Sequence, residues 1–120
     1  MDSLLTRLEA ASEGSRDLDE AIARAVYPEL ERGTKGDDRW YIHDIHVRIE
    51  AYTTSLDAKL PWENIVEMRY YIDPDGRDSA YTTIHEAEDG RLFEGKAKTE
   101  ALARRIAALR ARGQERKPAS

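Results

Sequence analysis

Three hydroxyls in a row, Thr53-Thr54-Ser55, precede Leu56-Asp57-Ala58-Lys59-Leu60, a stretch that reads as a short helix. A helix start offers free backbone amides, and with hydroxyls beside them it suits a phosphate or a carboxylate. The same residues also serve as ordinary helix caps. Arginines on nearby predicted strands, Arg48, Arg69 and Arg77, would supply the paired charge that phosphate recognition requires. Tyr52 or Trp62 would cover a base by stacking. The small ligand expected from this set is anionic and nucleotide-like. Tyr71, in step with Glu67 and Arg69, falls on a more polar strand face.

Other constellations carry less. His43-Asp44-Ile45-His46 holds metal-ligand types, but on a strand residues 43 and 46 face opposite sides, which leaves too few convergent donors. His43 is expected in the core and His46 at the surface. His85 and Glu86, adjacent on a strand, also diverge. The chain has no cysteine, Ser55 lacks a Gly-x-Ser-x-Gly turn, and acidic pairs are unavoidable among 24 acids in 120 residues. No catalytic residue, metal or cofactor is expected, and the protein reads as a non-enzyme.

These residues need elements to position them. Leu4, Leu5, Leu8 and Ala11 share one face of a first helix, with Asp2 or Ser3 as cap and Gly14 as stop. Ser15 caps a second helix through Leu18, Ile22 and Val26, ended by Pro28; the two form a helical hairpin or one kinked helix. Gly33 to Arg39 reads as a mobile loop. Period-2 patterning then predicts strands over Trp40–Glu50, Trp62–Asp73, Arg77–Ala87 and Arg91–Glu94, with turns at Asp73-Pro74-Asp75-Gly76 and Asp89-Gly90. Thr99 caps a last helix whose Leu102, Ile106 and Leu109 form a stripe, and Gly113 ends it. The expected fold is α+β: a layered α/β sandwich with an antiparallel sheet of three or four strands, an N-terminal helical hairpin and a C-terminal helix. Residues 1–113 would form a single domain and 114–120 a flexible tail.

Charge is polarised along the chain. Residues 96–120 carry eight basic and two acidic residues, a net +6 within a total of -5, which leaves -11 for residues 1–95. Such division suggests homo-oligomerisation or a basic end meeting an acidic partner, against the plainer reading of a solvated helix. A nucleic-acid role for Arg104, Arg105, Arg110 and Arg112 is disfavoured by the acidic balance. No apolar run spans a membrane and no signal peptide is evident, so the protein is expected in the cytoplasm.

Tyr52-Thr53-Thr54-Ser55-Leu56-Asp57-Ala58, the alanine-rich helix from Thr99 to Arg112, Arg7-Leu8-Glu9-Ala10-Ala11 and Ser15-Arg16-Asp17-Leu18-Asp19 together resemble the phage ABA sandwich domain family. The resemblance covers most of residues 4–112, loosely over Trp40 to Glu50 and Asp73 to Gly95. It implies the sandwich fold and a phage or prophage origin in the host cytoplasm, and no chemistry for individual residues. The functional expectation is a phage accessory protein acting by stoichiometric binding, countering host defence by sequestering a nucleotide-derived signal. The alternatives are an acidic mimic that binds a host protein surface, and a nucleic-acid-binding or virion assembly factor using the basic C-terminal helix.

Overall fold

A computed structural model describes residues 2–33, 36, 39–72, 74–75 and 80–116. Helix α1 spans Asp2–Ala10 and α2 Arg16–Val26, so Ser3 lies inside the first helix rather than capping it. The Ser15 hydroxyl accepts from the Leu18 amide, which caps α2 as its sequence foretells. Three short strands follow, β1 Leu30–Arg32, β2 Trp40–Ile42 and β3 Ile45–Val47, as one antiparallel sheet. A second antiparallel sheet contains β4 Ile65–Tyr71, β5 Ala80–Glu86 and β6 Leu92–Ala97 in that order. Helix α3, Glu100–Arg116, closes the described chain. The layered α+β fold is therefore present, with two three-stranded sheets in place of one.

The expected strand Trp40–Glu50 is a hairpin. Ile42 faces Ile45 across His43 and Asp44, whose φ angles are 49° and 65°. Two consecutive left-handed residues make the tight turn that matches strand twist, here without the usual glycine. The reversal takes His43 out of the core to an exposed turn and leaves Ile45 68 % exposed; His46 is exposed as expected. No helix forms over 56–60, where the chain makes turns, and α3 runs through Gly113 instead of ending there. Of the predicted tail, residues 114–116 belong to α3 and 117–120 lie outside the described residues, as do four positions of the Gly33 to Arg39 loop.

The core is built around α3. Thr99 caps it by accepting from the Leu102 amide, and Leu102, Ile106 and Leu109 are fully buried. Leu4 and Leu8 of α1, Leu18 and Ile22 of α2, Trp40, Tyr52 and Leu60 complete the cluster. One face of α3 lies on β5 and β6. It sits so close at Gly95 that a Cβ there would overlap the Ala103 carbonyl oxygen, and the Thr83 hydroxyl donates to that same oxygen at 2.7 Å. Small residues thus let helix and sheet backbones approach, and a threonine locks the contact.

Candidate functional site

Segment 51–63, which holds most of the predicted ligand residues, is pinned from two sides. On the α2 side, Asp19 is buried; its Oδ1 accepts from the Thr53 amide at 2.8 Å and from the Thr53 hydroxyl at 2.6 Å. Thr53 Oγ1 in turn accepts from the Ser15 amide at 2.9 Å. The hydroxyl with the best place in the predicted site is thus saturated inside the protein. Gly14 packs on the same spot, where a Cβ would overlap the Thr53 carbonyl.

On the α3 side stands Arg105, with no exposed side-chain surface. Its Nη1 donates to Glu63 Oε2 at 2.6 Å, its Nε to the Tyr52 carbonyl at 3.0 Å, and its Nη2 to the carbonyls of Ser55 at 2.7 Å and Leu56 at 3.2 Å. One guanidinium therefore gathers the loop through four acceptors, a use that its planar fork allows and a lysine would not. Burial pushes the Glu63 carboxyl above its ordinary range, opposed by the Arg105 charge and by the Leu60 amide. Burial likewise lowers Arg105, with Glu63 opposing. Among the described residues no buried side-chain polar atom lacks a partner.

Among the described residues, the other members of the predicted set do not converge with Thr53 on one site. Thr54 is exposed, and the Ser55 hydroxyl accepts from the Asp57 amide. Arg48 is exposed after β3, beside an apolar hollow of about 330 Å³ that also involves Tyr27, Ile42 and Tyr52. Arg69 lies on the other sheet, paired with Glu67 at 2.6 Å. Arg77 is outside the described residues. Tyr52 is buried, and burial followed by the charges of Tyr27 and Glu50 raises its hydroxyl to about 12. Trp62 donates from Nε1 to the Ala108 carbonyl at 2.7 Å and carries the Arg112 guanidinium 4.7 Å over its ring. That pair borders an open polar cleft of about 560 Å³ with Asn64, His85, Glu86 and Glu88. His85 is buried and its Nδ1 accepts from the Asn64 amide.

Sequence reasoning missed Asp19, Glu63 and Arg105. The signal was available for two of them: Arg105 falls in the apolar stripe at three residues from Leu102 and four from Leu109, and Asp19 sits three before Ile22. A charge inside such a stripe is buried with a partner. Three more α3 arginines are engaged as well, Arg104 with Glu100, Arg110 with Glu9 and the Glu94 carbonyl, and Arg112 with Trp62.

A different surface stands open. Among the described residues strand β4 pairs with β5 on one side only, and Val66, Met68, Tyr70, Tyr71 and the following Ile72 are 41–66 % exposed. Met68 faces Thr83 and Tyr70 faces Tyr81, so both lie on the α3 side of the sheet, while α3 itself covers β5 and β6. Tyr70 stacks on Tyr81 with ring centroids 4.4 Å apart. Glu67, Arg69 and Tyr71 take the opposite face, the polar grouping that strand parity foretells.

Among the described residues no group of three or more His, Cys, Asp or Glu side chains is placed to hold a metal, and no helix is long and apolar enough to cross a membrane. Compared with known proteins, the chain matches no family model, no curated protein and no solved structure.

Proposed function

We propose that the protein acts without catalysis, by stoichiometric docking to another polypeptide through β4. The observation that carries this reading is the edge strand: seven residues with no strand paired to their outer side among the described residues, where alternate residues turn their backbone donors and acceptors outward, flanked by large apolar side chains in water. Natural proteins usually blunt such edges with lysine, proline or a covering element. Strand addition uses the edge directly, with main-chain hydrogen bonds giving affinity and alternate side chains giving specificity. The phage setting implied by the sequence resemblance suits an accessory protein that occupies one partner per copy in the host cell.

The test compares tagged wild type with Met68→Lys and Tyr70→Lys, both exposed positions, in capture from phage-infected cells. A partner held in a fixed ratio by wild type and lost from both variants, with β4 amides slowed in hydrogen exchange within the purified complex, is the expected result. Identical capture by all three proteins refutes docking through β4.

A second reading, sequestration of a nucleotide-like signal, draws support from the Trp62 and Arg112 stack beside the polar cleft. An aromatic face next to a guanidinium is what a base and its phosphate would use. Glu86 and Glu88 in the same lining oppose an anion, which places this reading second. Calorimetry with linear and cyclic nucleotides decides it, Arg112→Ala abolishing any heat that belongs to the cleft.

A further inference from the structure

We propose that the chain docked on β4 is a second copy of this protein, paired antiparallel about a two-fold axis at Met68 so that the two sheets join as one of six strands. The proposal rests on the docking reading above and names its partner.

The argument lies in the order of residues on the strand. Ile65-Val66-Glu67-Met68-Arg69-Tyr70-Tyr71 is antisymmetric in charge about its middle and apolar on both flanks. In an antiparallel pair centred on Met68, residues equally distant from the centre face one another. Glu67 then faces the partner's Arg69, and Arg69 faces the partner's Glu67. Met68 meets the partner's Met68. The irregularity between Ile65 and Glu67 ends one-to-one facing there, so the apolar Val66 and Ile65 come to the region of the partner's Tyr70 and Tyr71 without a fixed register. Each regular cross-strand pair is apolar with apolar or acid with base, a stabilising combination.

Neighbouring registers fail this test. An axis on Glu67 sets acid against acid, and one on Arg69 sets base against base. An axis between Met68 and Arg69 is barred by geometry, because directly opposed residues share a face and those two point to opposite faces. A parallel arrangement in register stacks like charges at both positions. The sequence therefore favours the register centred on Met68 over those centred on its neighbours.

The surrounding structure is compatible with the pairing. The irregularity in β4 lies between Ile65 and Glu67, which leaves Glu67 to Tyr71 regularly paired with β5 and, among the described residues, no strand on their other edge. Within one chain Arg69 Nε already donates to Glu67 Oε1, with both side chains substantially exposed. Addition of the second copy converts that pair into a ring of four alternating charges on one face. On the opposite face Met68 and Tyr70 of both copies merge into an apolar strip between the two α3 helices, which removes side chains now in water. Closed two-fold association of this kind uses up the β4 edge of each copy, so through this edge it stops at two copies.

The experiment is a concentration series by sedimentation and light scattering on the full chain, at low and high salt, for wild type, Glu67→Arg, Arg69→Glu and the exchange Glu67→Arg with Arg69→Glu. Wild type should form a dimer, each single reversal should weaken it by about tenfold or more, and the exchange should restore it to within about threefold, because opposite charges again face each other. In addition, Met68→Cys places a thiol in a chain that has no cysteine. Directly opposed residues of an antiparallel pair lie within disulfide reach, so mild oxidation should cross-link the dimer. A wild type that stays monomeric throughout, an exchange that fails to restore association, or a dimer that Met68→Cys does not cross-link overturns the proposal. A monomeric wild type whose captured partner is still lost on Met68→Lys leaves docking through β4 standing and removes the second copy as its occupant. Loss of both effects removes the two together.

Discussion

Replacing Arg105 by methionine removes a charge that four acceptors surround and strands another. The Glu63 side chain is 1 % exposed and its Oε2 lies 2.6 Å from Arg105; without that partner, a buried carboxylate remains. Breaking a buried ion pair from one side costs about 3–5 kcal/mol. The carbonyls of Tyr52, Ser55 and Leu56 lose a donor as well, although opening of the loop would let water reach them. We expect a loss of about 4 kcal/mol at neutral pH, a large part of the 5–15 kcal/mol typical of a domain. The double change Arg105→Met with Glu63→Met should cost less than Arg105→Met alone, since no charge is left behind. The pH dependence has a definite sign. A carboxyl raised by burial takes up its proton in the folded protein before the unfolded chain does, so its stabilising contribution is complete below the ordinary value of 4.5 and is lost as pH rises through the folded value. Without Arg105 the carboxyl rises further, and the deficit of the single variant should shrink on acidification towards pH 5. Urea unfolding followed by tryptophan fluorescence and circular dichroism measures all of this. A cost under about 1 kcal/mol at pH 7, or a deficit that grows on acidification, would refute the reasoning.

Two further outcomes are expected. Gly95→Ala should destabilise by about 3 kcal/mol or more, because the added methyl meets main-chain atoms of α3 that cannot swing aside; thermal unfolding checks it, and an unchanged midpoint would contradict the close approach. Tyr52, with its hydroxyl raised to about 12 from 10, favours the folded state fully below pH 10 and loses that contribution as pH climbs through 12. Ultraviolet titration should therefore show a late phase that disappears in Tyr52→Phe.

Elements whose information is local were legible in the sequence. Ser15 and Thr99 cap the helices they precede, Asp89-Gly90 makes its hairpin with Gly90 at φ 86°, and the Leu102, Ile106 and Leu109 stripe is buried. Alternation alone could not reveal the turn at His43 and Asp44, because a tight two-residue reversal leaves a period-2 pattern intact on both arms. Glycine or asparagine would have announced it. The loop hydroxyls offered the opposite ambiguity. Thr53 and Ser55 look alike in a string, yet one is enclosed by Asp19 and Ser15 while the other bonds its own turn. Partners 34 and 38 positions away decide which, and a linear pattern does not contain them. Arg105 was hidden by company, one cation among eight near the C-terminus.

Arg105 recognises the loop mostly through carbonyl oxygens, and those are supplied by any amino acid. Ser55 and Leu56 are held by their main chain, and the Leu56 side chain stands in solvent. Selection on the latch is therefore concentrated at residues 63 and 105, far apart in the chain, while the side chains of Thr54 and Leu56, exposed between the buried Thr53 and Ala58, are free to drift. Over evolutionary time those positions can change without the fold noticing, which makes them a place where new surface specificities could be tried at small risk to the scaffold.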